Sequence, residues 1–423
     1  MMYSLSEIAY LVLVILILLI TFFWLMVYFE IFNEKEKMKK VRDYPKIAVV
    51  IPTLFEGEDL KKSVESVKKV DYPAQKISIY IGLNKASDEK TRKVAKSLES
   101  KKVHAIDTGV NGKASVMNYI LKNSLKDEQF VLTLDADSMI DRLALKRLLS
   151  MFDNEKVAVV TPSVAVYKPR NFIEKLQEYD YIFSMVLRKA FSKMDALLVA
   201  PGPGSLFRRS TLEKVGYFDE GNITEDMEIA IRLLANGYKI RNKINAFTYT
   251  VVPHTTLKLL KQRIRWYTGF FVNVSRYHAL LDKEKTSASK SVILLILLST
   301  ALSIMVIPEL AYYTYIDISS AYTTITNIGI DYLISTNLND LYIYLFSFNE
   351  ITILSLITLF VGLFYLMYAL KGMKRTLDPV KDTLAVGLYI TFFGYLLAFS
   401  WFYGALKAGM LRGDVKWRIN TQS

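Results

Sequence analysis

Residues 130–141 read FVLTLDADSMID. A mostly apolar run, FVLTL, leads straight into Asp135, Ala136 and Asp137. At the C-terminal end of a strand the chain turns, and two carboxylates one residue apart can then converge on a single ligand; a solvated turn in which Asp135 caps the following helix fits the stretch equally well. Like charges held that close repel, so a cation is expected beside them: a metal, a lysine, or only solvent counterions.

The run belongs to a series. KIAVVIPTL (46–54) reads as a buried parallel strand, stopped by Pro52, and a helical pattern follows over 58–70 with Leu60, Val64 and Val67 on one face. KISIYIGL (76–83) is a second strand, 91–98 a second helix, VHAID (103–107) a short strand and GKASVMNYILKNSL (112–125) a helix. VAVVTPSVAVY (157–167) continues the sheet. Strand and helix alternating over short connections predict a doubly wound parallel sheet. Ligands of such sheets sit beyond the C-terminal strand ends, where Asp135, Asp137 and, past the first strand, Glu56 are placed. The segments 169–193 and 257–281 have amphipathic helical spacing, which fits a core helix and an interfacial membrane helix equally well.

Composition sets further bounds. The chain has 423 residues, net charge +13 and no cysteine, which excludes disulfides, iron–sulfur clusters and cysteine zinc sites. Only His104, His254 and His278 are available and they are well separated, so a bound metal is expected to be a hard, oxygen-ligated one. A mean hydropathy of +0.22 in a chain 22% charged indicates segregated apolar and charged parts. Residues 8–29 run 22 positions without a charge, enough to span a bilayer, and basic NEKEKMKKVR follows, which puts that flank on the cytoplasmic side. Further apolar runs cover 292–316, 351–370 and 384–406. The loop 317–350 has no Lys or Arg and reads as external, while KGMKRTLDPVK (371–381) reads as internal. A spanning 384–406 would then put the basic tail with Lys407, Arg412, Lys416 and Arg418 outside, against the charge bias; a re-entrant run would not.

Three other stretches carry chemistry. In NITEDMEIAIRLLANGYKI (222–240) Thr224 is placed to N-cap a helix, with Glu225 and Asp226 in its first turn, where the dipole favours carboxylates. That pair suits either a well-made helix start or a general base. QRIRWYTGFF (262–271) sets Gln262, Arg263, Arg265 and Trp266 on one helix, either a phosphate-binding and stacking group or a basic-aromatic interfacial anchor. Gly112 and Lys113 open a helix, as an anion site or a solvated lysine. His254 reads as structural.

Taken in order, IPTLFE, GKASVMN, LDAD, GPGSLFRR, TED and QRIRW resemble the membrane-embedded family 2 glycosyltransferases, the group of cellulose, hyaluronan, chitin and poly-N-acetylglucosamine synthases and ceramide glucosyltransferase. The resemblance implies a cytoplasmic α/β domain of GT-A type, Rossmann-like with a mostly parallel sheet, joined to α-helical transmembrane segments. It implies Asp137 as ligand of a divalent cation (Mg²⁺ or Mn²⁺), with Asp135 contacting metal and nucleotide. It implies Asp226 as general base beside Glu225, and Arg265 on the diphosphate. Glu56, Asn84 and Lys113 would lie along the nucleotide sugar. Gln262 and Trp266 would hold the acceptor near the membrane, with Gly202, Pro203 and Gly204 lining its end. VKWR, with Trp417 and Arg418, resembles a tail motif of some members.

The family's acidic D-D-G-S stretch is replaced here by GLNKASDEKT (82–91), with Asn84 and Lys85 where acids would fall, so UDP stands only as the family default. The expected partners are a nucleotide-sugar donor, a saccharide or lipid acceptor, membrane lipids, and a second copy or an accessory membrane subunit; nucleic acid is not expected. The expected location is the plasma membrane, multi-pass. Q-x-x-R-W favours extension of a polysaccharide, the expected activity, while about four spans, a narrow channel without oligomerisation or a partner, favour the alternative of transfer of one sugar to a lipid. A catalytically silent scaffold would not need Asp135, Asp137, Asp226 and Arg265 together. The chain divides accordingly into a transmembrane helix (1–32), the transferase domain (42–255), an interfacial helix (256–288), about three transmembrane helices (289–406) and a basic tail (407–423).

Overall fold

The computed structural model describes residues 44–277, 318–329 and 389–410, with a few single positions besides. The chain divides into two compact units, one of Met1–Glu34 with Ile296–Leu377 and the other of Lys35–Leu295 with Asp378–Ser423. The expected spans 1–32, 292–316 and 351–370 fall almost wholly outside the described residues, as does the tail 411–423. No helix among the described residues is long and apolar enough to cross a membrane.

The second unit holds an eight-stranded sheet. Its elements run β1 (Ile47–Thr53), α1 (Glu58–Lys68), β2 (Ile77–Leu83), α2 (Glu89–Ser97), β3 (Val103–Asp107), α3 (Lys113–Asn123), β4 (Phe130–Thr133), β5 (Ser138–Ile140), α4 (Ala144–Leu149), β6 (Val157–Val166), α5 (Phe172–Lys193), β7 (Leu206–Arg208), α6 (Arg209–Val215), α7 (Glu225–Ala235), β8 (Lys239–Thr250), α8 (Thr256–Arg276) and α9 (Gly394–Met410). The strand order is β3-β2-β1-β4-β7-β6-β8-β5. The first four strands of that order are parallel, as expected. The rest is mixed: β7 lies antiparallel between β4 and β6, and β5 runs antiparallel to β8. Three-residue β5 and β7 are too short to show a period, and their pairing is set by tertiary contacts.

All seven residues of β1 are buried, as a central strand covered on both faces requires. Leu60, Val64 and Val67 of α1 pack on Ile47, Ile79, Ile81 and Leu132, each such side chain contributing roughly 1.5–3 kcal/mol of transfer free energy. On the other side, α5 and α8 are joined by a buried ion pair, Arg263 to Asp180 at 2.7 Å. Phe393 fills the space between Leu176 of α5 and Leu259 of α8. Trp401 of α9 stacks on Tyr267 of α8, centroids 4.3 Å apart. Of the segment 256–288 expected to be interfacial, Thr256–Arg276 form α8, packed between α5 and α9, and 278–288 lie outside the described residues.

Candidate active site

The parallel strands β1, β2 and β4 end on the same edge of the sheet, and the loops after them carry Glu56, Asn84 and Asp135. Lys113, first residue of α3, meets them from the side. Its ammonium lies 2.6 Å from Asp135 Oδ1 and 3.2 Å from Glu225 Oε1. Burial pulls this lysine towards neutrality, but Asp135, Glu225 and Asp226 outweigh burial and hold it charged. One cation beside the first aspartate is therefore Lys113.

Gly202 covers this pair. A β-carbon at this position would stand 2.5 Å from Lys113 Nζ and 2.9 Å from Asp135 Oδ1, so only glycine lets the loop close over the ion pair. The loop is seated by Gly204 N donating to Thr133 O (2.8 Å) and Ala200 N donating to Asp226 O (3.1 Å). Gly204 has φ +89, and a side chain there would meet Thr248 Oγ1 at 2.3 Å.

Burial, with Asp135 and Glu56 adding repulsion, raises the Asp137 carboxyl to about 6; a hydrogen bond from Ser138 and the charge of Lys113 oppose the shift. Glu56 is raised first by burial and also by Asp135, against the pull of the Leu54 amide, which donates to its Oε2 at 2.6 Å. Asp226 is raised to about 6 by burial and by Glu225, while Lys113 and Arg265 pull the other way. Its Oδ1 accepts from Met227 N at 2.9 Å. Mutual electrostatic influence among Glu56, Lys113, Asp135, Asp137, Glu225 and Asp226 makes one cluster from four separate stretches of chain.

Asp135, Asp137 and Glu56 are oxygen donors of the kind a hard divalent cation takes. No three Asp, Glu or His side chains form a metal cage among the described residues. The pair Asp135 and Asp137 suits Mg²⁺ or Mn²⁺, which use one or two carboxylates and complete their shell with phosphate oxygens and water.

Asn84 stands apart, over the end of β2. It is buried, and its Oδ1 accepts from Ala86 N at 2.9 Å, leaving its amide N–H groups for a ligand. The turn is tied down by Arg92, which donates to the carbonyls of Ser87, Asn84 and Lys85 and pairs with Asp107 at 2.6 Å. Lys85, at a place where the resemblance expects an acid, points to solvent.

Along α8, Arg265 is exposed and donates to Ile223 O at 3.0 Å, its remaining donors free to meet an anion. Gln262 Oε1 is buried without a hydrogen-bond partner among the described residues. Trp266 is half-buried against Val164, Val166, Tyr181 and Val252, with the Arg263 guanidinium 4.4 Å over its ring. Pro203 is half-buried beside Gly202. The backbone carbonyl of His254 accepts from Asn171 Nδ2 at 2.9 Å.

One expectation is corrected. Thr224 immediately precedes α7, but its hydroxyl makes no capping bond. It accepts instead from Asn273 Nδ2 at 3.0 Å. Sequence reading also missed Arg188 of α5, whose Nη1 is buried without a hydrogen-bond partner among the described residues, and Arg92. Neither lies in a recognisable motif. Asn273 was visible in principle, eight residues past Arg265 on the same helical face.

Residues 130–406 match the family described as glycosyl transferase family group 2. The chain is 30% identical over 229 residues to a poly-beta-1,6-N-acetyl-D-glucosamine synthase of Staphylococcus epidermidis, covering 53% of this chain and 54% of that protein. It is 28% identical over 228 residues to the synthase of the same name from Staphylococcus aureus (strain COL), with the same coverage. The chain thus spans about half the length of the curated relatives it matches. Among solved structures, the mannosyltransferase PcManGT from Pyrobaculum calidifontis, in complex with GDP-Man and Mn²⁺, superposes with TM-score 0.54 at 18% identity, over 85% of this chain and 96% of that one. This last likeness is one of fold.

Proposed function

The chain belongs to glycosyl transferase family group 2, and from that premise we propose that it is an inverting membrane glycosyltransferase. In this reading it moves a sugar from a nucleotide-diphosphate donor to a growing polysaccharide at the cytoplasmic face of the membrane. The observation that carries the proposal is the meeting of Lys113, Asp135 and Glu225 at ion-pair distances under Gly202, with Asp226 in the same electrostatic cluster.

The acceptor hydroxyl oxygen attacks the anomeric carbon of the donor sugar. The bond from that carbon to the diphosphate oxygen breaks, and the nucleoside diphosphate leaves with the electron pair. Asp226 takes the hydroxyl proton; a carboxylate raised to about 6 is still ionised at neutral pH yet more basic than an ordinary aspartate. Lys113 and Arg265 present positive charge to the leaving diphosphate. Asp135 and Asp137, with Glu56 nearby, would hold the divalent cation, whose contribution is further charge stabilisation of that diphosphate. Asn84 would donate to the nucleoside, Gln262 and Trp266 would hold the acceptor, and Gly202 and Pro203 would line its end. Similarity to polysaccharide synthases supports a polymer product; the competing product is a lipid bearing one sugar.

The test is transfer by purified protein in detergent, with Mg²⁺ or Mn²⁺ and a panel of labelled UDP- and GDP-sugars. Labelled material of high molecular weight is expected, and Asp226→Asn should abolish it. A single labelled lipid would replace the polymer reading, and full transfer by Asp226→Asn would remove the base assignment.

A further inference from the structure

Residues 265, 269 and 273 lie four apart on α8 and so share one stripe of that helix. Each meets the same three-residue turn, Asn222-Ile223-Thr224, which leads directly into Glu225 and Asp226. Arg265 Nη1 donates to Ile223 O at 3.0 Å. Gly269 faces Thr224 so closely that a β-carbon would stand 2.1 Å from its Oγ1 and 2.4 Å from its Cγ2. Asn273 is fully buried; it donates to Thr224 Oγ1 at 3.0 Å and to Asn222 Oδ1 at 3.3 Å, and its own Oδ1 accepts from Asn222 Nδ2 at 2.7 Å. Asn222 Oδ1 in turn accepts from Thr224 N at 3.0 Å.

Glycine and asparagine are poor helix formers, and both sit inside a 21-residue helix. What they make possible is contact with the turn. The Thr224 hydroxyl is diverted from its usual capping role into this contact, so the start of α7 is fixed by α8 rather than by its own cap. From behind, α8 is braced by α9: a β-carbon at Gly404 would stand 2.8 Å from Tyr267 Cβ and 3.0 Å from Thr268 N.

We propose that Gly269 and Asn273 are positioning residues, which with Arg265 clamp the Asn222-Ile223-Thr224 turn and so fix where Asp226 stands, setting the rate of sugar transfer without touching donor or acceptor. The proposal rests on the reading of Asp226 as general base. The clamp joins the basic helix to the catalytic acids, and Gly269 and Asn273 extend it beyond the Q-x-x-R-W residues.

The test is Gly269→Ala. The overlap of a β-carbon with Thr224 outweighs the better helix propensity of alanine, so a merely structural role predicts a lower thermal midpoint with normal turnover of the molecules that remain folded. The clamp predicts a fall in kcat of about tenfold or more, since a displacement near 1 Å costs up to about 10²-fold, with donor KM kept within about twofold. It also predicts faster amide hydrogen exchange at 222–227. Thr224→Ser in the Gly269→Ala background removes the methyl group at 2.4 Å and should recover part of the lost kcat, and Asn273→Leu should repeat the exchange effect. Wild-type kcat and wild-type exchange in Gly269→Ala would overturn the clamp, as would loss of kcat only in step with unfolding. If the wild-type protein transfers no sugar, the base reading fails separately, and exchange at 222–227 still decides whether the clamp exists.

Discussion

Gly202 and Lys113 are in steric contact across 89 residues of sequence: the place of a β-carbon at the glycine lies 2.5 Å from the lysine Nζ. The contact locks the loop before β7 onto the first residue of α3, and through Asp135 onto the end of β4. Gly202→Ala should displace the end of a flexible lysine rather than backbone, so the protein should fold. Transfer should fall by about tenfold or more, the loss expected of a small misplacement at a site of charge stabilisation. Steady-state kinetics beside a thermal melt checks this, and normal kinetics would show that the close approach has no catalytic weight.

Lys113 neutralises Asp135 at 2.6 Å. A divalent cation at Asp135 must share that carboxylate with the ammonium. Lys113→Gln should therefore strengthen Mn²⁺ binding by donor-free protein while weakening binding of the nucleoside diphosphate. Calorimetric titration of each ligand alone reads both effects; weaker Mn²⁺ binding in Lys113→Gln would contradict the competition.

Asp137 and Asp226 both rise from the ordinary 3.8 to about 6, chiefly through burial. Transfer should decline on the acid side as Asp226 takes up a proton, with half-loss near pH 6. For stability the sign is opposite. Because the folded values are raised, the stabilising contribution of the protonated forms is complete below about pH 4 and lost as pH rises through about 6. Above that window the buried charges cost stability, so added Mn²⁺ should raise the thermal midpoint more at pH 7.5 than at pH 5. Melting curves at the two pH values measure this, and an equal shift at both would contradict it.

Asp226→Asn should separate activity from stability. It removes a partly buried charge held beside Glu225, and should gain roughly 1 kcal/mol at pH 7.5 after allowance for solvent screening. Transfer should be lost. A lower midpoint in this variant would show that the carboxylate is stabilising in place.

Gly404→Leu should lift α9 from α8, because the obstructing atoms include the Thr268 backbone nitrogen at 3.0 Å. Overpacking of this kind costs about 1–3 kcal/mol. Faster proteolysis within Thr256–Arg276 and a lower midpoint are expected; unchanged resistance would place the weight of the α8–α9 contact elsewhere.

The sequence by itself determined the half of the sheet around β1. Buried parallel strands are near-continuous apolar runs, and each strand end there is marked by the acid or amide that follows it: Glu56 after Thr53, Asn84 after Leu83, Asp135 after Leu134. It also determined that Glu225 and Asp226 open a helix, because acids in a first turn leave a local signal. The insertion of β7 between β4 and β6 was decided only in three dimensions, since a three-residue strand takes its place from its neighbours rather than from its own pattern. Tertiary structure likewise brought Lys113 as a cation to Asp135, and took the Thr224 hydroxyl from its cap to Asn273, 49 residues away. In both cases the local sequence offers several partners of similar energy, and the packing of distant elements selects one.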